Sequence, residues 1–159
     1  MRRVIRGAAI MCLLLPLTAC RFRYENLDDL PGFVENIAGI IGSFQITSDS
    51  DLIGERSGGT DTYTGQYWAE CRGNTGKDVV FGGASMESRQ LYVSGYVHAD
   101  FGKAVIRIRM NNDVTELETD EDGYFETQLN LDPGGNYIMV KYESFTGTVQ
   151  LTSKTGKGQ

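Results

Sequence analysis

From Tyr63 onward, apolar and polar side chains alternate with a period of two, and short groups of Gly, Asn, Asp and Pro interrupt the alternation. That period sends successive side chains to opposite faces of a pleated strand, and the interruptions mark turns. In residues 63–72, Tyr63, Tyr67, Ala69 and Cys71 share one face, while Thr64, Gln66, Trp68 and Glu70 share the other. Residues 89–98 repeat the pattern, with Leu91, Val93 and Val97 opposed to Tyr92, Ser94, Tyr96 and His98. Residues 103–110 set Ile106, Ile108 and Met110 against Arg107 and Arg109, and Asn111-Asn112-Asp113 then predicts a tight turn into a hairpin partner over residues 114–119. Phe125, Leu129 and Leu131 alternate with Glu126, Gln128 and Asn130, and after Asp132-Pro133-Gly134-Gly135 the inward set is Ile138, Val140 and Tyr142, with Val149 and Leu151 in a last strand beyond Gly147. Residues 44–47 predict a first short strand, residues 73–77 a turn, and residues 78–82 a strand that breaks at Gly82-Gly83. Many short strands joined by turns, without a second strong helix, predict an all-β antiparallel sandwich.

Upstream the period changes. Leu27, Leu30, Val34, Ile37, Ile41 and Phe44 are three and four apart, which places them on one stripe of a helix. Asp28, Asp29 and Pro31 suit a helix beginning, whereas Gly32, Gly39 and Gly42 each oppose it by about 1 kcal/mol relative to alanine. The segment predicts a short amphipathic helix over residues 31–41. It either packs on the β domain or meets a bilayer or partner helix, and the missing cationic face weighs against the bilayer.

The first residues alter the address of the whole chain. Arg2, Arg3 and Arg6 precede the apolar run Ala8-Ala9-Ile10-Met11-Cys12-Leu13-Leu14-Leu15, the form of a secretory signal peptide. The run is shorter than the roughly 20 residues needed to span a bilayer, and Pro16 interrupts it. Leu17-Thr18-Ala19-Cys20 resembles the lipobox of bacterial lipoproteins at every position. The resemblance implies cleavage between Ala19 and Cys20, a diacylglyceryl group on Cys20, and attachment to the membrane through covalent lipid. Each buried methylene contributes about 0.8 kcal/mol, so two or more acyl chains anchor stably. Arg21 is not the aspartate that retains such proteins in an inner membrane, which implies the outer membrane in a two-membrane cell. The chain thus divides into a signal peptide (1–19), a lipid-proximal spacer and helix (20–43), a β-sandwich (44–153) and a flexible tail (154–159).

Charge narrows the partners. The 15 Lys+Arg and 21 Asp+Glu give −6, and losing three arginines with the signal takes the mature chain to about −9. Nucleic acid requires clustered cations, so it is excluded as a partner class. Cys71 remains without an intrachain partner, and its place on the apolar face predicts burial.

Residues 91–151 resemble the immunoglobulin-like modules of bacterial surface proteins, including the carboxypeptidase-regulatory-like group. The similarity rests on Val93-Ser94-Gly95-Tyr96-Val97, Thr119-Asp120-Glu121-Asp122-Gly123-Tyr124-Phe125, Leu129-Asn130-Leu131 and Gly135-Asn136-Tyr137-Ile138-Met139-Val140. It implies an immunoglobulin-like fold and an extracellular setting, and no reaction. With one histidine, His98, and no recognisable nucleophile setting, the sequence predicts no enzyme, metal site or cofactor. Asp120-Glu121-Asp122-Gly123 offers oxygen ligands for calcium but lacks a closing bidentate glutamate, so turn chemistry accounts for it. Trp68, Tyr92 and Tyr96 stand among polar residues. They are either core beneath a covered second face or exposed rings able to stack on a glycan or anchor a protein ligand. The resulting expectation is a lipid-anchored binding, adhesion or structural protein, with an accessory subunit of an envelope transporter or enzyme as the alternative.

Overall fold

The computed structural model describes residues 45–156, all of it strand, turn and connection. Among these residues no helix is long and apolar enough to cross a membrane. Ala19, Cys20 and the expected helix over 31–41 lie outside the described residues.

Six strands follow in order: β1 (Glu55–Ser57), β2 (Gly65–Ser85), β3 (Arg89–Met110), β4 (Asp113–Leu117), β5 (Tyr124–Leu131) and β6 (Gly134–Thr155). All pairings are antiparallel, in the order β1-β2-β6-β3-β4, with β5 also on β3. The expected β-sandwich is present, but its two layers are halves of one continuous sheet. β2, β3 and β6 are 21 to 22 residues long and bend in the middle, so each serves both layers. The first layer is β1, the start of β2, the end of β6, the start of β3, and β5. The second is the end of β2, the start of β6, the end of β3, and β4.

The bends explain where the sequence pattern misled. Residues 73–77 are not a turn: β2 stays laddered to β6 through register shifts between Arg72 and Asn74 and between Asn74 and Gly76. Likewise residues 89–98 and 103–110 are one strand, irregular between Ala99 and Lys103, and Gly82-Gly83 lies within β2. Bulges bend a strand without ending it, and their glycines look like turn residues in a sequence. Residues 45–47 are not a strand. Thr47 instead meets the β2 edge at Val79, its N–H donating to the Val79 carbonyl (3.1 Å) and its Oγ1 accepting from the Val79 N–H (2.8 Å). The hairpin at Asn111 and the turn at residues 120–123 are where the pattern put them, with one Asp120 carboxylate oxygen accepting from the amides of Asp122 and Tyr124.

Tyr67, Ala69, Cys71, Leu91, Val93, Phe125, Leu129, Val149 and Leu151 from the first layer join Phe81, Ile106, Ile108, Ile138, Val140 and Tyr142 from the second in one core. Cys71 is buried, as its face predicts, and burial pushes its thiol pKa up. Within this core lies Asp78, 1% exposed. Its carboxylate accepts from the amides of Ile53 (2.9 and 3.1 Å) and Gly54 (3.2 Å) and from the Tyr67 hydroxyl (2.5 Å), which also bonds Tyr142 Oη at 2.7 Å. Burial, more than any neighbour, raises both phenol pKa values, so the two rings remain neutral donors. The layers are also joined by Tyr63, whose hydroxyl donates to the Gly83 carbonyl (2.6 Å) while its own carbonyl accepts from Ser153.

Candidate functional site

The outer face of the first layer carries the aromatic residues that the alternation turns away from the core. Trp68, Tyr92 and Tyr96 are 44%, 42% and 36% exposed, so no second cover lies over them. Alternation explains this locally, because their strand neighbours Tyr67, Ala69, Leu91 and Val93 are buried.

Register brings rings from three strands into line. Glu55 on β1 pairs with Trp68 on β2, Trp68 with Gln150 on β6, Gln150 with Tyr96 on β3, and Tyr96 with Tyr124 on β5. The row Glu55–Trp68–Gln150–Tyr96–Tyr124 therefore crosses five strands without interruption. With strands about 4.8 Å apart, Trp68 and Tyr96 are separated by about 10 Å and Tyr96 and Tyr124 by about 5 Å. A parallel row, Ser57–Gln66–Thr152–Ser94–Glu126, lies beside it, and beyond that Lys154–Tyr92–Gln128. Tyr92 is thus on the same face as the main row but four residues along β3 from it, about 13 Å away.

Tyr124, 43% exposed, is a member of this surface that the sequence analysis did not single out. The signal was present, since an inward Phe125 requires an outward Tyr124. Its hydroxyl donates to Glu126 Oε2 at 2.9 Å, and that bond raises the phenol pKa. On the other side of the row, His98 stacks parallel to Tyr96, with centroids 6.3 Å apart, and its Nε2 is 3.5 Å from Asp100. Neutral amides and hydroxyls lie between the rings, carboxylates at Glu55, Glu70 and Glu126 lie around them, and Gln66, Thr152 and Lys154 border a surface depression beside the row. Among the described residues no group of three or more His, Cys, Asp or Glu is placed to hold a metal ion.

No family model matches the chain, and no curated protein matches it. Among the solved structures similar to it are the following three. One is the pre-peptidase C-terminal domain of collagenase from Bacillus anthracis, 19% identical, covering 58% of this chain and 90% of that one with a TM-score of 0.45. A ruminal GH26 endo-β-1,4-mannanase is 15% identical, covering 75% of this chain and 26% of that one, with a TM-score of 0.38. The carbohydrate-binding module of Cellvibrio mixtus lichenase 5A, in complex with cellotriose, is 12% identical, covering 74% and 96%, with a TM-score of 0.28.

Proposed function

We propose that the chain is a lipid-anchored, non-catalytic binding protein of the bacterial envelope, and that the first layer's outer face holds an extended neutral glycan. The observation that carries this reading is the unbroken row from Trp68 through Gln150 and Tyr96 to Tyr124. Aromatic faces stack on the apolar faces of pyranose rings, and their separation across two strands suits a chain of sugars laid across the sheet. Gln150, Gln66 and Thr152 offer donors and acceptors for sugar hydroxyls. The bordering carboxylates disfavour anionic ligands.

The test uses the mature chain made soluble by Cys20→Ala, titrated with cello- and chito-oligosaccharides and sedimented with insoluble cellulose and chitin. Trp68→Ala and Tyr96→Ala are expected to weaken binding about tenfold or more each. Stability is expected to stay within about 0.5 kcal/mol, because neither ring is in the core. Binding that both variants retain, or a stoichiometric protein partner captured from crosslinked membranes with no glycan bound, refutes the glycan site.

Anchoring rests on the Leu17-Thr18-Ala19-Cys20 match. Labelled palmitate is expected on the wild-type chain and absent from Cys20→Ala. Equal labelling of the two refutes the anchor.

A further inference from the structure

The second layer has an outer face of a different kind. Val105, Tyr137 and Met139 are only 7%, 5% and 6% exposed, yet they stand outside the core cluster. They alternate with the core residues Ile106, Ile138 and Val140, so they point away from the core. Register groups them with cations. Val79, Met139, Arg107 and Glu116 form one row, Tyr137, Arg109 and Val114 a second, and Lys77, Lys141 and Val105 a third. With Lys103 and Glu143 in the next row, five cations stand against two acids, Glu116 and Glu143, the latter paired with Lys141 at 2.6 Å, which is a net basic surface on a chain whose net charge is −6. Among the described residues Arg107 Nε is buried without a hydrogen-bond partner, Glu116 Oε1 being an ion-pair neighbour at 3.4 Å. The Arg109 guanidinium lies over the Tyr137 ring, 5.8 Å from its centroid.

The chain enters the described structure on this same face. Thr47 is bonded to Val79 on β2, and two residues earlier Gln45 borders a surface depression shared with Arg109, Asn111, Gly135 and Tyr137. Between them the backbone has crossed from the β2 edge towards β3. Residues 24–44, immediately upstream, contain Glu25, Asp28, Asp29 and Glu35 and no Lys or Arg. Their apolar stripe includes Val34, Ile37, Ile41 and Phe44.

We propose that residues 30–44 dock as an amphipathic helix on the second layer's outer face. The stripe covers Val79, Val105, Tyr137 and Met139, while Glu35 within the segment and Glu25, Asp28 and Asp29 just before it bring negative charge alongside Arg107, Arg109 and the lysines. The eleven residues 31–41 are about 16 Å long as a helix, enough to cross β2, β6 and β3, whose outer members are about 10 Å apart. The acids of residues 24–44 complement the basic rows, and burial of the stripe offsets the three glycines that weaken an isolated helix. This docking is independent of the glycan surface, which lies on the other layer.

The test is limited chymotryptic digestion of the mature Cys20→Ala chain, with cleavage inside residues 30–44 followed by mass spectrometry. The expected result is protection. Ile37→Asp, which changes no residue of the core cluster, is expected to speed that cleavage about tenfold or more, and Met139→Asp to do the same from the opposing side. Cleavage as fast as that of an isolated peptide of residues 28–46, or an Ile37→Asp rate equal to wild type, overturns the proposal. Protection that appears only with added phospholipid vesicles, or only at concentrations where the chain sediments as a dimer, overturns it in favour of a bilayer or a second copy.

Discussion

Asp78→Ala is expected to destabilise the domain by about 3–5 kcal/mol, the largest effect of any polar substitution in it. The carboxylate is 1% exposed and accepts from two backbone amides, Ile53 and Gly54, that are 25 and 24 residues away in sequence. Alanine leaves both amides facing a void at about 1–3 kcal/mol each, and releases the 48–54 loop from β2. Tyr67 loses its acceptor as well, since its contact with Tyr142 can use only one of the two phenol protons. Removing a buried charge offsets part of the damage, so Asp78→Asn, which keeps one acceptor oxygen, is expected to fall between wild type and alanine. The urea midpoint measures this. A shift no larger than that of Asp100→Ala, on an exposed stretch of β3, refutes the role assigned to the network.

Gly147→Ala is expected to cost about 2–4 kcal/mol, more than its single methyl group suggests. Gly147 has φ = 144°, and a Cβ there meets the His98 carbonyl oxygen and the Ala99 backbone head-on. Neither can retreat without opening the β6–β3 ladder where both strands bend. Gly73, at φ = 75° with open space around its Cβ position, is the comparison. Gly73→Ala pays only the left-handed penalty of about 1–2 kcal/mol. Equal unfolding midpoints for the two variants refute the claim that the bend is held by backbone contact.

Alternation read correctly which side chains enter the core, because period two survives bulges over short stretches. Tyr67, Ala69, Leu91, Val93, Ile106, Ile108, Phe125, Ile138 and Val140 are all where it put them. It misjudged strand lengths, since Gly73, Gly76 and Gly82 read as punctuation although they lie within one strand. β1, with the sequence Glu-Arg-Ser, has no apolar alternation and gave no signal. Asp78 was placed next to a turn, where aspartate is ordinary, and its burial depends on a loop that arrives from 25 residues upstream. The candidate site was legible as three outward aromatics. That Trp68 and Tyr96 share one row while Tyr92 sits apart depends on pairing with β6, a long-range register that no local pattern encodes. The burial of Tyr137 and Met139 was hidden for a related reason: alternation assigns them to solvent unless something lies across that side.

Because β2, β3 and β6 run unbroken through both layers, the sandwich has no seam along which it can be prised open. A load applied to Trp68 or Tyr96 passes along peptide bonds into the opposite layer, where the chain enters near Tyr137. Were the proposed ligand held at those rings and the proposed anchor to pull from the other side, the tension would run along covalent cables and the apolar filling would bear little of it.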